Sequence, residues 1–197
     1  MKVGLVVLGV VALAVILALG WFVSVGNDLV AREQRVQEAW AQVQNVYQRR
    51  ADLIPNLVET VKGFAAQERT VLEEVTRARA SVAGMQVTPE VLRDPEALKK
   101  FQEAQAQLGG ALGRLLVVVE RYPDLKSNQS FLALQSQLEG TENRIAVERR
   151  RYNEAVRDYN TAVRRFPASV VASFRGFRER PFFEATTGAQ APPPVKF

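Results

Sequence analysis

Residues 36–82 read VQEAWAQVQNVYQRRADLIPNLVETVKGFAAQERTVLEEVTRARASV, and their spacing decides the fold class. Val36, Val43, Leu57, Phe64, Val71 and Ala78 fall on one seven-residue ladder. Trp40, Tyr47, Ile54, Val61, Val75 and Val82 fall on a second, four residues further on. Alternating steps of four and three keep one face of an α-helix apolar over many turns. A strand needs a period of two, which the stretch lacks. Two charges interrupt the pattern, Arg50 on the first ladder and Glu68 on the second. Pro55 sits in the middle and leaves the register unshifted. The stretch is therefore one kinked helix or two helices sharing a seam. A sharp bend or restart at Pro55 is the expectation, with Asp52 as N-cap and the proline in the first turn, where its missing N–H is no loss. The alternative is a kink that leaves the Ala51 carbonyl free.

Upstream, Val3 to Val25 is a run of 23 residues without a charge. As a helix it spans about 35 Å, enough to cross a hydrocarbon core of about 30 Å. Trp21 and Phe22 lie near its end, where aromatic side chains favour the membrane interface. The small residues Ala18-Leu19-Gly20 suit signal cleavage, but the run exceeds the roughly 7–15 residues of a signal core, so a retained anchor is expected. Asn27 or Asp28 is a candidate cap beyond it. Leu29 extends the first ladder back by one heptad, so the membrane helix is expected to run nearly continuously into the long one. Lys2 ahead of the span mildly favours a cytoplasmic N-terminus and an extracytoplasmic domain.

Downstream, Asp94-Pro95 is a helix start, a capping side chain before a proline at the first helical position. Phe101, Leu108, Leu115 and Tyr122 form one ladder; Leu98, Leu112 and Val119 form the other, interrupted by Gln105. Gly109, Gly110 and Gly113 thin the middle of this helix, and a tight helix crossing is expected there. Tyr122-Pro123 ends it. Ser127 or Asn128 caps the last long helix, in which Phe131, Leu138, Ile145, Tyr152, Tyr159 and Phe166 recur every seven residues. Glu142 and Arg149 stand among its companion positions, so they are candidate buried partners for Arg50 and Glu68. Such pairs would fix helix register rather than perform catalysis. Tyr152-Asn153 and Tyr159-Asn160 repeat at seven residues, and the asparagines are placed to hydrogen-bond between helices.

Residues 168–185 carry Phe174, Arg175, Phe177, Arg178, Arg180, Phe182 and Phe183, a basic aromatic segment expected to dock on the bundle or to contact a membrane or partner. Residues 186–197 are small, polar and proline-rich, and are expected to be disordered.

The composition removes several chemistries. The 197 residues include no cysteine and no histidine. That excludes disulfides, thiolate sites and the commonest general base and metal ligand. The net charge is +5, with acidic and basic residues interleaved, and no nucleic-acid motif is present. No phosphate loop, nucleophile elbow or metal-ligand spacing appears. Glu73 and Glu74 are adjacent and diverge on a helix.

Together, Arg49-Arg50-Ala51-Asp52-Leu53-Ile54-Pro55-Asn56-Leu57-Val58, Val61-Lys62-Gly63-Phe64, Tyr122-Pro123-Asp124-Leu125-Lys126, Thr141-Glu142-Asn143-Arg144-Ile145 and the two Tyr-Asn pairs before Phe166-Pro167 resemble the LemA family of bacterial proteins. The resemblance covers nearly all of residues 1–183 and leaves the tail outside. It implies one N-terminal membrane helix, an antiparallel four-helix domain and an envelope location. It supplies no activity and no catalytic residues.

The expected fold is all-α: an N-terminal transmembrane helix followed by an antiparallel up-and-down bundle of three long helical blocks, four helices if the first breaks near Pro55. The expected parts are an anchor over 1–26, a bundle over 27–167, the basic aromatic segment and the tail. The expected role is a membrane-anchored scaffold that binds other proteins or itself, without enzymatic activity, cofactor, metal, nucleic acid or identified small-molecule substrate. The alternative is a membrane-surface or lipid-organising protein acting through the basic aromatic segment.

Overall fold

The computed structural model describes residues 2–85 and 92–184. The tail over 186–197 and most of the connection before Asp94 lie outside the described residues. Within them the chain is all-helical. Helix α1 spans Lys2–Phe64, α2 Arg69–Ala83, α3 Pro95–Val119, the short α4 Pro123–Lys126, α5 Gln129–Arg164 and α6 Ala168–Arg175.

Helix α1 is continuous for 63 residues and contains Pro55. The expected break at the proline does not occur, and the chain turns instead at 65–68, after Gly63-Phe64. The carbonyl freed by the proline is satisfied from outside the helix: Arg79 of α2 donates Nε–H to the Ala51 oxygen at 2.9 Å. Asp52 is therefore no cap. It is exposed in mid-helix and accepts from Gln48 at 2.7 Å. Asn27 and Asp28 likewise lie inside α1, with Asp28 paired to Arg32. Continuity from the apolar run into the bundle is as expected.

The other boundaries follow local chemistry. Asp94 accepts from the Glu96 N–H, with Pro95 in the first turn of α3. Asn128 accepts from the Phe131 N–H and caps α5. Phe166 falls past the end of α5 and is 79% exposed, so it is no core rung. A Cβ added at Gly109 or Gly113 meets nothing, and one at Gly110 only the tip of Arg114. These glycines mark no helix crossing.

From residue 27 onward α1 runs away from the apolar segment, α2 returns, α3 runs out and α5 returns. Neighbours are antiparallel, as short connections demand. The core has two halves. The half near the apolar run holds Leu29, Val36, Trp40, Tyr47, Phe101, Tyr152 and Val156. The far half holds Ile54, Leu57, Val61, Val75, Leu108, Leu115 and Phe131. Val3 to Trp21 of α1 present an exposed apolar surface, Phe22 already packs on the core, and this is a helix long and apolar enough to cross a membrane.

Candidate functional site

Between the two halves of the core lies a polar layer. Arg50 comes from α1, Gln105 from α3, Thr141 and Glu142 from α5. Arg50 is 3% exposed and Gln105 5%. The Arg50 guanidinium donates to Glu142 Oε1 at 2.9 Å and to the Gln105 carbonyl at 3.2 Å. It also donates to the Gln105 side-chain oxygen and lies over the Tyr47 ring, 5.1 Å from its centroid. One planar, permanently charged group thus ties three helices at one level, a task suited to arginine's forked donors. The pairing of Arg50 with Glu142 matches one of the sequence's candidate pairs. Gln105, visible only as a gap in an apolar ladder, is the third member.

Glu68 is placed elsewhere. It stands at the α1–α2 turn, half-buried, where Tyr122 donates to it at 2.9 Å and Arg121 at 3.1 Å. It meets neither Glu142 nor Arg149. Its distance from Arg50 follows from the straight passage of α1 through Pro55. The carboxylate beside the Tyr122 hydroxyl raises that tyrosine's pKa.

A surface cleft of about 290 Å³ opens onto the polar layer, lined among others by Arg50, Glu103, Glu142, Arg149 and Glu184. Three of its charged side chains are engaged: Glu142 with Arg50, and Arg149 with the Glu184 carbonyl at 2.8 Å. Among the described residues no cluster of acidic side chains is placed to hold a metal ion.

The second assembly is at the opposite end of α5. After α6, Gly176 adopts φ 75°, a left-handed turn that glycine takes without strain. Residues 177–184 then run back along α5 as an extended strap. Asn160 accepts from the Arg180 N–H and donates to the Arg180 carbonyl, both at 2.9 Å. Asn153 does the same with Phe183, at 2.8 and 3.0 Å. Tyr152 donates to the Pro181 carbonyl at 3.1 Å. The seven-residue Tyr-Asn repeat now has a physical reason. Seven helical residues rise about 10.5 Å, and three extended residues span about 10 Å. The two asparagines therefore meet strap peptides three residues apart.

The strap sorts the basic aromatic residues. Phe183 inserts between Trp40 and Tyr152, with ring centroids 5.8 and 5.2 Å away, and Arg149 lies over its other face. Arg180 is buried against Glu33 and the Tyr159 ring. Burial pushes the Tyr47, Tyr152 and Tyr159 hydroxyls to higher pKa. Phe177 is half-buried. Phe174, Arg175, Arg178 and Phe182 stay outside, Phe174 at 81% exposure. Arg180 and Phe183 are thus turned into the bundle and away from any external surface.

A model described as the LemA family matches residues 39–197. That match begins inside α1, beyond the apolar run, and continues through the tail after Phe183, so the tail belongs to the shared pattern. The chain is similar to Magnetosome protein MamQ of Magnetospirillum gryphiswaldense, 26% identical over 182 residues, 84% of this chain and 67% of that protein. Magnetosome protein MamQ 2 of Paramagnetospirillum magneticum is 27% identical over 182 residues, with the same coverage, 84% and 67%. Protein LemA of Metamycoplasma hominis is 25% identical over 154 residues, 77% of this chain and 66% of that protein.

Proposed function

The chain belongs to the LemA family, and from that premise we propose that it is a membrane-anchored helical scaffold, which binds other proteins or a second copy of itself and catalyses no reaction. The observation that carries this reading is the unbroken course of α1. One helix supplies both the exposed apolar surface over Val3 to Trp21 and the central rungs Val36 to Val61 of the core. A body built on such a helix has no flexible linker to its anchor, so it presents a rigid surface at a fixed place above the bilayer. The polar layer supports the same reading, since its guanidinium ties three helices together at one level. Lys2 before the span favours the bundle on the extracytoplasmic side.

The alternative, lipid organisation through residues 168–185, has lost Arg180 and Phe183 to the interior and keeps Phe174, Arg175, Arg178 and Phe182.

Photo-crosslinking in cells tests the scaffold reading. A crosslinking residue replaces Val117 or Leu132, which are 71% and 47% exposed on the bundle. Recurrent crosslinks to a defined protein, or to the chain itself, are expected. Crosslinks at neither position, nor at a series of other exposed bundle positions, would overturn it. A reporter fused after Phe197 fixes the side of the membrane.

A further inference from the structure

Three apolar side chains outside the core lie close together in sequence, Val170 and Phe174 one turn apart on α6 and Phe166 just before it across Pro167. Phe166, Val170 and Phe174 are four residues apart, and they are 79%, 45% and 81% exposed. The last two lie on α6, whose other face is buried through Val171 and Ala172. The position of α6 along α1 is marked by Gly26. A Cβ there would fall 1.9 Å from Arg175 Nη1, so α6 ends directly against α1 at that residue. Phe22 and Val25 pack on the same core cluster as Val171 and Ala172. Helix α6 therefore lies at the level where the apolar run over 3–25 ends.

We propose that Phe166, Val170 and Phe174 form a second foothold on the bilayer, seated at the headgroup–acyl boundary beside the span of α1. The inference rests on α1 crossing the membrane. Continuity identifies the occupant: α6 lies beside Gly26, at the level where the exposed apolar surface of Val3 to Trp21 ends, and the bilayer that covers that surface reaches the level of α6. Charge agrees. Arg165, Arg175 and Arg178 are exposed around the face and form no ion pair among the described residues. Arginines beside aromatic side chains at this depth meet lipid phosphates. A single helix leaves the bundle free to rotate about the α1 axis. A second contact to one side of it fixes both rotation and tilt, and so decides which bundle surface faces outward.

The absence of cysteine from the chain makes the test direct. Leu13→Cys, Val117→Cys and Phe174→Cys are made singly in the full chain. Each is labelled with a nitroxide and reconstituted in phosphatidylcholine–phosphatidylglycerol vesicles. Accessibility to oxygen, which partitions into lipid, is compared with accessibility to a water-soluble nickel complex. Leu13 reports lipid and Val117 water. At Phe174 nickel accessibility is expected to be about fivefold below that at Val117, with oxygen accessibility raised, because interfacial side chains sit about 5–10 Å into the boundary. Adding Phe166→Ser and Val170→Ser should return the Phe174 label toward the Val117 value. A Phe174 label as wet as Val117, with Leu13 in lipid, overturns the foothold alone. A wet Leu13 label removes the membrane span, and the foothold with it. Spin–spin broadening at Phe174 that disappears on dilution with unlabelled protein, without oxygen enrichment, assigns the face to a second copy and also overturns the proposal.

Discussion

Arg79 Nε lies 2.9 Å from the carbonyl oxygen of Ala51, the acceptor that Pro55 leaves without its helical donor. A side chain of α2 thus supplies from outside what the proline removes inside α1. Arg79→Ala is expected to cost about 1–3 kcal/mol, the cost of leaving a sheltered acceptor unpaired. Pro55→Ala restores the internal N–H, so in that background the cost of Arg79→Ala should fall by at least about half. Denaturant unfolding of the full chain, the two single variants and the double variant measures the difference. An equal cost in both backgrounds would show that Arg79 stabilises the bundle by some other contact.

The Arg50 layer predicts an asymmetry. The Arg50 side chain is 4% exposed and that of Glu142 46%. Arg50→Ala leaves the Gln105 oxygens unpaired between two core halves, and a loss of about 3–5 kcal/mol is expected. Glu142→Gln keeps a neutral acceptor at a wet edge and should cost about 1 kcal/mol. Arg50→Lys should not rescue, because one ammonium cannot reach the three acceptors of a planar fork. Equal losses for Arg50→Ala and Glu142→Gln would remove Gln105 from the account.

Release of the strap is expected from either asparagine. Asn160→Ala and Asn153→Ala each remove two hydrogen bonds to strap main chain. Faster trypsin cleavage after Arg178 and a changed Trp40 emission should follow, since Phe183 stacks on that indole. Asn160→Asp keeps the acceptor and loses the donor, so its effect should be intermediate. Unchanged cleavage in the double variant would mean that the Phe183 insertion alone holds the strap.

All four tyrosines have raised pKa values, Tyr47, Tyr152 and Tyr159 through burial and Tyr122 first through its hydrogen bond to Glu68. A folded-state pKa above the unfolded value of about 10 gives stability that is complete below pH about 10 and is lost as the pH rises beyond it. Alkaline unfolding is expected above that point. Tyrosinate absorbance of the native protein should lag behind that of the unfolded chain. Coincident titrations would contradict the buried placement of the Tyr47, Tyr152 and Tyr159 hydroxyls and the bond from Tyr122 to Glu68.

The local signals gave reliable structure where the physics is local. The caps at Asp94 and Asn128 and the start at Pro95 need only neighbouring residues, and they are where the sequence puts them. The seven-residue ladders predicted antiparallel helical blocks, since a helix with an apolar stripe has to bury it, but the division of the first block falls at 65–68 and not near Pro55. The polar layer was half legible: Arg50, Glu142 and the gap at Gln105 all stand out as polar groups on apolar seams, but their common level depends on how three helices align. Pro55 misled because the donor that compensates it, Arg79, lies 28 residues beyond the Ala51 carbonyl it frees, and Phe166 because a periodic pattern does not know where its helix stops.

By itself, then, the sequence determined an all-α chain with one apolar run of spanning length, its heptad seams, the caps at Asp94 and Asn128 and its lack of histidine and cysteine chemistry. Tertiary structure alone decided that α1 passes straight through Pro55, that Glu68 and Arg50 belong to different sites, and that the Tyr-Asn repeat holds a strap rather than a helix. The reason is the same in each case. Periodicity and capping depend on the chain's own geometry over a few turns, whereas the fate of a freed carbonyl, a buried guanidinium or a paired amide depends on which distant group packing brings to it.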